Sequence, residues 1–540
     1  MVFVLSYIGI ALVTFASFYL LIPAVTFCST GFLCYVAALV GLWLIPLFFM
    51  DKIKTALTGL IIPGILLALV VLISIFTSPL FMARNYASVL AAPVQTDIAK
   101  YTPTIDSVPL MDRSTAELLM SRTMGTLVNE VSQFELDDST QINYNGRAIR
   151  VAPLKYGGLL KWFNNKSRGI PSYITVDMQT QKTEIHAVEG GINYSPSAFL
   201  GKDLMRHLRF HDLSAILGDP VFELDEEGNP IWVVPKLEHK VGPFFGSDVQ
   251  GIYVVDAVTG AIEYYAVGNV PSYIDNVYPA SLVIGQYDNF GQFQGGFWNS
   301  FLGQKNVRVT TEGYNYIPQN DDIYMYTGVT SVGGDESNIG FIYANLRTKE
   351  IQYFEQPGAE EYSAMSSAEG VVQHLGYTST FPLLLQIEGH PTYCVALKDA
   401  GGLVKMYSLV NVEQYQIVVV GDTISQALTK YRTALRENNQ TVGGGTVQGN
   451  TEITGTISEI RSANVDGTTF LYIQLDERGP HYELNVADNK EAVLLNVGDT
   501  VTLHILDGTG EKIKEAMLPG SDTIQEVSAP QDHAIEKTPT

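Results

Sequence analysis

Two histidines one helical turn apart are the first residues of this chain whose types and spacing suggest chemistry. His207 and His211 lie at i and i+4, a spacing that places both imidazoles on one helix face and could hold zinc. Leu208 stands where a His-Glu-x-x-His site carries its glutamate. Arg206 and Arg209 would repel a cation. We therefore predict no metal site and no cofactor, and we interpret this segment as a solvated helix face.

Two acidic pairs offer the oxygen ligands that calcium prefers. Asp321-Asp322 and Asp335-Glu336 could contribute to a calcium site, although neither fits an EF-hand loop. A plain turn at Gly333-Gly334 is the alternative, and the choice stays open. Cys394 lies in an alternating strand pattern, which predicts a buried, unreactive thiol. The chain has no Gly-x-Ser-x-Gly elbow, no phosphate-binding loop and no Cys-x-x-Cys pair, so the sequence names no catalytic residue.

An uncharged aromatic segment at residues 289–304 departs from the acidic background of the chain. It combines large rings with several glycines, which is typical of recognition surfaces. The alternative is that the rings fill the core between two modules. On the recognition interpretation, we favour a protein partner or self-association. The candidate partner-binding residues are Phe290, Phe293, Phe297, Trp298 and Phe301.

The N-terminal region has the composition of a membrane domain. Residues 1–50 contain no Asp, Glu, Lys, Arg or His, which would leave a soluble domain without a polar face. The run is too long for a single span of ~20 residues. We predict three transmembrane helices, at about 3–25, 31–50 and 56–82. A cleaved signal peptide is the alternative for the first helix, but the sequence lacks a basic n-region and an A-x-A-type cleavage site.

The loop between the second and third predicted helices sets the orientation. It carries Lys52 and Lys54, and positively charged loops stay in the cytoplasm, so residues 83–540 would lie outside it. With Asp51 these lysines sum to +1, which leaves −24 of the net charge of −23 on the outer region. Such a region repels nucleic acid and anionic lipid headgroups, so we expect no nucleic-acid partner. Cys394 is the only cysteine of that region, and the absence of a possible intrachain disulfide there favours a bacterial surface.

The outer region repeats one pattern, which predicts tandem α+β modules over residues 113–435. An alternating strand is followed by a turn at Asp or Asn and by a second strand, and an extended segment precedes each pair. Irregular spacing between the turns argues against a solenoid. Ordinary antiparallel alternation is the alternative. The predicted turn residues are Asp177, Asp256, Asn345 and Asn411.

Two resemblances accompany this pattern. Asn229-Pro-Ile-Trp-Val-Val-Pro-Lys236, followed by Gly251-Ile-Tyr-Val-Val-Asp-Ala-Val-Thr-Gly-Ala-Ile262, resembles a PepSY-type module. That resemblance implies a small extracytoplasmic α+β unit linked to peptidase regulation or to membrane-associated assemblies. Segments such as Gly285-Gln-Tyr-Asp-Asn-Phe290 and Thr330-Ser-Val-Gly-Gly-Asp-Glu-Ser-Asn-Ile-Gly340 resemble an uncharacterised family of multi-pass membrane proteins from Gram-positive bacteria. That family implies no activity and no site residues.

The remaining segments complete the predicted organisation. Residues 83–112 form a stalk, 436–451 a linker, and 519–540 a disordered tail. Five strand-like runs in residues 452–518 resemble a small OB-like barrel. The fold class is therefore a membrane-anchored α+β protein with three N-terminal transmembrane helices, mostly antiparallel PepSY-like modules and an OB-like β-barrel.

The predicted function is binding, scaffolding or regulation at the bacterial cell envelope, and a non-enzymatic role is favoured. One alternative is an envelope hydrolase whose site residues the sequence does not identify. The other is a subunit of an export complex, since small residues along the apolar helices would permit close helix contact.

Overall fold

The computed structural model of the chain describes residues 2–48, 52–97, 109–319, 321–332, 337–438, 452–465, 468–475, 479–486, 490–507 and 513–517. The chain is a mixed α+β protein with mostly antiparallel sheets. Its α-helices are α1 Val2–Leu21, α2 Thr30–Phe48, α3 Ile53–Gly59, α4 Ile61–Phe76, α5 Pro79–Ala87, α6 Arg113–Met124, α7 Leu159–Asn165, α8 Leu204–His211, α9 Ala280–Phe293, α10 Glu361–Val371 and α11 Ile424–Glu437. Its strands are β1 Val94–Gln95, β2 Phe134–Leu136, β3 Thr140–Tyr144, β4 Arg147–Tyr156, β5 Ile170–Asp177, β6 Thr183–Ile192, β7 Ile216–Leu217, β8 Val221–Leu224, β9 Pro230–Val241, β10 Phe245–Asp256, β11 Ile262–Ala266, β12 Arg308–Thr310, β13 Asn315–Gln319, β14 Asp322–Ser331, β15 Ser337–Asn345, β16 Ile351–Ala359, β17 Thr378–Ser379, β18 Leu383–Ile387, β19 His390–Lys398, β20 Val404–Asn411, β21 Val418–Gly421, β22 Glu452–Val465, β23 Thr468–Leu475, β24 His481–Asn485, β25 Thr500–Asp507 and β26 Ile513–Met517.

Two helical stretches near the N-terminus are long and apolar enough to cross a membrane, judged by length and composition. They are Thr30–Leu47 within α2 and the α3–α4 stretch Ile53–Phe76. The second has 24 residues, and at a rise of 1.5 Å per residue a helix of that length covers about 36 Å, more than the ~30 Å hydrocarbon core. α1 contributes a shorter apolar stretch, Leu5–Leu21. These helices are compatible with membrane anchoring, while a third span and the orientation remain predictions.

The predicted third span, residues 56–82, is interrupted by a turn. α4 ends at Phe76, Ser78 has an extended backbone with ψ of 162°, and α5 begins at Pro79. A residue before proline avoids the helical region because the proline ring would clash with it, and proline itself suits the first helical position. The apolar sequence therefore runs past the end of the helix, and residues 79–82 belong to α5.

Part of the predicted stalk, residues 83–112, is packed against the modules that follow. Tyr86 and Ala87 of α5 are buried together with Val241 and Phe293. β1 pairs in parallel with β16 and so joins a sheet of the large region. Residues 98–108 lie outside the described residues. The chain that leaves α4 is thus fixed to the modules along the described part of this segment.

One arrangement of strands recurs through the large region. In the first copy, β2 and β3 both pair with β4, β4 pairs with β5, and β5 pairs with β6. Strands β7–β11 and β12–β16 repeat this order, and β17–β20 repeat its first four strands. One helix, α6, α8, α9 or α10, precedes each set. We name the four sets, each with its helix, module 1 to module 4 in chain order.

The predicted turn residues fold the chain in the same way in all four modules. In each, the side-chain Oδ1 accepts hydrogen bonds from the backbone N–H groups two and three residues later, at 2.8 to 3.0 Å. Asp and Asn have side chains short enough to close such a turn on their own backbone. The residues concerned are Asp177, Asp256, Asn345 and Asn411.

Two hydrophobic cores lie between the modules. One is shared by modules 1 and 2 and includes Phe134, Ile174 and Trp232. The other joins modules 2 and 3 around α9 and includes Ile252 and Tyr287. Sheets with one apolar face must bury it against another element, and here neighbouring modules bury each other.

The described residues divide into two compact units, and the second one starts inside the predicted tandem region. It comprises Ile387–His390 and the chain from Val419 onward. In it, β22 to β26 close a barrel in the order β22-β23-β24-β26-β25, and β24 pairs with β26 in parallel. Within the predicted linker, α11 extends to Glu437, while residues 439–451 and the predicted tail 519–540 lie outside the described residues.

Candidate functional site

The aromatic segment at residues 289–304 is divided by the structure into a buried and an exposed half. Phe290 and Phe293 lie on α9 and are 6% and 8% exposed. Phe290 belongs to the core shared with module 2, and Phe293 packs on α5. Residues three apart on a helix share a face, which here is the inner one. The predicted partner-binding set is therefore corrected: these two rings cannot reach a partner unless the core opens.

Trp298 and Phe301 form the exposed half, and the half-buried Phe297 joins them to the cluster of α5 and α9. The ring of Phe297 lies 5.5 Å from that of Trp298 and 6.4 Å from that of Phe301. Trp298 and Phe301 are 64% and 68% exposed. Asn299 holds the turn between them through two side-chain hydrogen bonds with the backbone of Lys305, at 3.0 and 3.3 Å. Apolar area left in water costs ~25 cal/mol per Å², so a fixed cluster of exposed rings is typical of an interaction surface.

This exposed half lies near the C-terminal end of α4. α9 packs along α5, where the rings of Phe293 and Tyr86 meet edge to face at 6.3 Å. The hydroxyl of Tyr86 donates to the carbonyl oxygen of Thr77 at 3.0 Å, and Thr77 is the residue that directly follows α4. The β9–β10 hairpin reaches the same place, because a Cβ at Gly242 would collide with the side chain of Thr77. The aromatic segment thus sits close to the point where an apolar helix meets the modules.

Two arginines of α8 form a second junction, which the sequence analysis did not find. Nε of Arg206 donates to the carbonyl oxygen of Tyr19 at 3.1 Å, and Nε of Arg209 donates to that of Ile22 at 3.0 Å. Arg209 is buried, and this burial lowers the pKa of its guanidinium. The predicted solvated helix face is therefore wrong for Arg209, which is buried, whereas His211 on the same helix is exposed. The two arginines meet the carbonyl groups at the end of α1, where the helix dipole is negative. Two arginines three residues apart in an acidic chain were the sequence feature that could have indicated this junction.

The two histidines of α8 point to different partners. Nε2 of His207 donates to the carbonyl oxygen of Gly260 at 2.8 Å, which ties α8 to the Asp256 turn. The ring of His211 meets that of Tyr253 edge to face at 6.2 Å. Across the part of the chain that the structure describes, no group of three or more His, Cys, Asp or Glu side chains is placed to hold a metal.

In the acidic pair Asp321-Asp322, the carboxylate of Asp322 forms an ion pair with Arg347. Nε and Nη2 of Arg347 donate to the two carboxylate oxygens of Asp322 at 2.6 and 2.9 Å, and Nδ2 of Asn345 donates to Oδ2 at 2.7 Å. Asp322 is buried. Because both oxygens already accept charge-assisted hydrogen bonds, they are poor candidates for calcium ligands. The other predicted pair, at residues 335 and 336, lies outside the described residues.

Two further carboxylates are buried where modules 1 and 2 meet, and the sequence analysis did not single them out. Glu223 and Asp275 are 0% and 1% exposed. The backbone N–H groups of Asp275 and Asn276 donate to Glu223 at 3.0 and 2.9 Å, and that of Asn143 donates to Asp275 at 2.6 Å. Burial raises the pKa of both carboxyl groups, and repulsion from Glu223 raises that of Asp275 further. Their enclosure sets them apart from the accessible carboxylate pair of a glycosidase.

A third buried carboxylate links modules 3 and 4. Glu361 of α10 is 0% exposed, and it accepts hydrogen bonds from Nδ2 of Asn338 at 3.1 Å and from the hydroxyl of Tyr326 at 3.4 Å. Gly328 makes room for it, because a Cβ there would come within 2.5 Å of the Glu361 carboxylate. Burial raises the pKa of Glu361. These enclosed polar groups act as joints between modules.

Cys394 has the environment that the sequence predicts. It is 6% exposed, and burial raises the pKa of its thiol to about 12. The side chain borders a small cleft together with Pro109, Phe381 and Tyr407. The predicted burial of this thiol is confirmed, and a raised pKa disfavours the thiolate form that reacts.

Comparisons with known proteins leave this chain without a shown family. No protein family model and no curated protein matches it. Among solved structures, it is similar to a variant of the Synechocystis apocarotenoid oxygenase, at 10% identity and a TM-score of 0.17, over 54% of this chain and 65% of that chain. It is also similar to a Bombyx mori GH32 beta-fructofuranosidase, at 10% identity and a TM-score of 0.18, over 72% and 68% of the two chains. The chain thus spans 65% of the oxygenase's length, and likenesses at these scores carry no argument.

Proposed function

We propose that this chain is a membrane-anchored binding or scaffolding protein of the bacterial cell envelope, with its modules outside the cytoplasm. The observation that carries the proposal is that module 2 contacts the ends of two apolar helices. It meets α1 through Arg206 and Arg209 of α8, and it meets α4 through Gly242 of the β9–β10 hairpin. Modules joined to helix ends in this way would hold a binding surface at a set height above the membrane.

The same contacts support the proposed orientation. Because the ends of α1 and α4 both meet module 2, the two ends belong on one side of the membrane. The turn after α1 agrees, since the backbone N–H of Val25 donates to the carbonyl oxygen of Leu213 at 2.7 Å. The loop with Lys52 and Lys54 then falls on the other side, where the positive-inside rule places basic loops.

Two likenesses support a binding role for the modules and the barrel. Module 2 is a helix followed by an antiparallel sheet with its turn at Asp256, as in the PepSY-type modules that its sequence resembles. In the barrel, β25 lies beside β22, followed by β23 and β24, which is the 4-1-2-3 order of a Greek key. A five-stranded Greek-key barrel is the OB-like architecture, which binds ligands on the face of its second and third strands. We therefore propose PepSY-like modules and an OB-like barrel.

The exposed rings of Trp298 and Phe301 are the proposed contact for a partner. The segment carries no charge, so it suits an apolar contact better than ion pairing. Its position near the end of α4 favours a partner that is itself held at the membrane, either another protein or a second copy of this chain. Large aromatic side chains are the residues that most often dominate binding energy in such contacts.

Site-specific photocrosslinking of the full-length protein in its native membrane tests this function. A benzoylphenylalanine replaces Trp298 or Phe301, and Tyr362, an aromatic residue on α10 that is 45% exposed, is the control position. We expect light to produce one discrete protein adduct from positions 298 and 301 and none from position 362. No adduct at 298 and 301, lipid adducts alone, or the same adducts at all three positions would overturn the proposed contact.

A double variant separates binding from folding. Trp298→Ser with Phe301→Ser removes apolar area that is already exposed, so the melting temperature should stay close to that of the parent protein. The crosslinked partner should no longer co-purify with this variant. A well-folded double variant that keeps its partner would contradict the assignment.

A further inference from the structure

We infer that α7, Leu159–Asn165, is a shallow lipid-binding element that rests on the outer leaflet of the membrane. The inference depends on the membrane anchoring proposed above and adds a second, lateral contact to it. α7 connects β4 to β5 in module 1. Leu159, Leu160 and Phe163 are 55%, 80% and 59% exposed, while Trp162 is buried. Three large apolar side chains exposed within five residues form a patch that water alone covers poorly.

A short series of contacts leads from α7 to the end of α1. The ring of Trp162 lies 5.6 Å from that of Phe199. The next residue, Leu200, accepts a hydrogen bond at its carbonyl oxygen from Nη1 of Arg206 at 2.8 Å. Nε of the same arginine donates to Tyr19 at the end of α1. α7 is therefore close to an apolar helix end.

Apolar side chains are exposed near the α1 end of this path. Leu200, Phe210 and Leu213 are 57%, 53% and 45% exposed. Phe210 also meets the ring of Tyr19, at 6.1 Å between ring centres. Apolar side chains are thus exposed both on α7 and beside the end of α1, and a membrane surface would cover both.

The local charge fits an anionic headgroup layer. Residues 157–168 carry three basic side chains and no acidic one, within an outer region of charge −24. Arg168 is paired with Glu130 at 2.6 Å. Lys161 lies near the carboxylate of Glu135, since both groups approach the Cβ position of Gly157, which leaves Lys166 as the basic residue at the end of α7. The ammonium of Lys166 lies 4.0 Å from the ring centre of Phe163. Lysine stems can cross apolar surface while the ammonium stays among headgroups, and salt screens more distant acidic charges beyond ~8 Å.

The repeat supplies an independent argument. α7 occupies the connection between the two long central strands of module 1. The same connection in module 2, between β9 and β10, packs against Thr77 at the end of α4. α7 is the enlarged counterpart of a hairpin tip that already lies at an apolar helix end. A short helix with an apolar face flanked by lysines is the usual form of an interfacial membrane contact.

Lipid-quenching fluorescence on the full-length protein tests the inference. Cys28, Cys34 and Cys394 are replaced, and the protein is reconstituted in vesicles of phosphatidylcholine and phosphatidylglycerol. Single cysteines at Leu160→Cys, Thr180→Cys or Leu69→Cys then carry a fluorescent label. Thr180, exposed at the Asp177 turn, is the matched control, since β5 separates it from α7 by roughly 23 Å at ~3.3 Å per residue. Leu69 on α4 reports the anchoring itself.

We expect lipids with brominated tails to quench the labels at 69 and 160 and to leave the label at 180 bright, with aqueous iodide showing the reverse pattern. Phosphatidylglycerol should strengthen quenching at 160, and Lys161→Gln with Lys166→Gln should remove that dependence. Quenching at 69 without quenching at 160 would overturn the role of α7 alone. No quenching at 69 would overturn the membrane anchoring. Energy transfer between labels at 160 on two copies, without lipid quenching, would assign the face to self-association and reject the lipid contact.

Discussion

Nε of Arg209 donates a hydrogen bond to the carbonyl oxygen of Ile22 at 3.0 Å, across 187 residues of sequence. The other side of the same guanidinium donates to the carbonyl oxygens of Leu213 and Ala215. One buried side chain therefore joins the end of α1 to the end of α8. The last carbonyl groups of a helix lack partners within it, so an arginine that reaches them satisfies groups that would otherwise be costly to bury.

Replacing this arginine should destabilise the protein. Arg209→Met removes the arginine donor from the carbonyl oxygens of Ile22 and Ala215, and a buried carbonyl group left without a donor costs ~1–3 kcal/mol. The stability of Arg209→Lys should fall between that of the parent protein and that of Arg209→Met, because one ammonium cannot reach both sides as the guanidinium does. Arg147→Met is the control, since the Arg147 side chain is 69% exposed. Denaturant unfolding of the full-length protein in micelles measures the effect, and equal stability of the Met variants at 209 and 147 would contradict the structure.

The turn after α1 should be accessible from the same side as the modules. Cys28 lies in that turn and is exposed, Cys34 is exposed on α2, and Cys394 is buried. Cys34→Ser therefore serves as the background for every labelling experiment. We expect a membrane-impermeant maleimide to label Cys28 in intact protoplasts and Cys28→Ser to abolish labelling. In the Cys28→Ser background, Lys52→Cys should react only after the membrane is opened. Labelling at 52 but not at 28 in intact protoplasts would mean that the orientation is inverted.

The carboxyl group of Asp275 should make stability depend on pH. Its pKa is raised in the folded protein, chiefly by burial and then by Glu223. A raised folded pKa favours folding below the unfolded value of about 4, and this contribution is lost as pH rises through the folded pKa. Asp275→Asn should therefore stabilise the protein at neutral pH. It should also reduce the change of unfolding free energy with pH, by at most about 1.4 kcal/mol per pH unit.

Asp138→Asn is the matched control for that experiment, because the Asp138 side chain is 93% exposed. Thermal unfolding of both variants between pH 4 and pH 8 provides the comparison. If Asp275→Asn leaves the pH profile of the parent protein unchanged, or destabilises it at neutral pH, the buried charge has been misassigned.

The close approach at Gly328 predicts a strong effect from one methyl group. A Cβ there would lie 2.5 Å from Oε1 of Glu361 and 2.6 Å from Nδ2 of Asn338. Such overpacking costs ~1–3 kcal/mol, so Gly328→Ala should lower the midpoint of unfolding. Gly285→Ala is the opposite control, since nothing lies within 4 Å of that position and alanine in a helix gains ~1 kcal/mol over glycine. Similar midpoints for the two variants would refute this account of the joint.

Patterns that depend on neighbouring residues were readable from the sequence. The uncharged run of residues 1–50 predicts apolar helices, since a helix satisfies the backbone polar groups of an apolar segment within that segment. The Asp and Asn turns were found because their geometry closes within four residues, as at Asp177. The strands of the C-terminal barrel were visible for the same reason, because alternation within a strand is local. The break at Ser78 was missed although Pro79 marked it, because hydropathy continues across the turn.

What the tertiary structure decided is which side of each element is covered. The sequence shows five aromatic residues between 289 and 304, but only the packing of α9 on module 2 and on α5 buries Phe290 and Phe293 while it leaves Trp298 exposed. Arg209 and Asp275 look like ordinary surface charges in sequence, and both are buried by elements far along the chain. Burial is the sum of contacts between distant segments, so a pattern within one segment predicts its form and not its neighbours. For that reason the sequence alone predicts the apolar helices, the four Asp and Asn turns and the strands beside them, and the structure alone locates the joints and the exposed apolar faces of this protein.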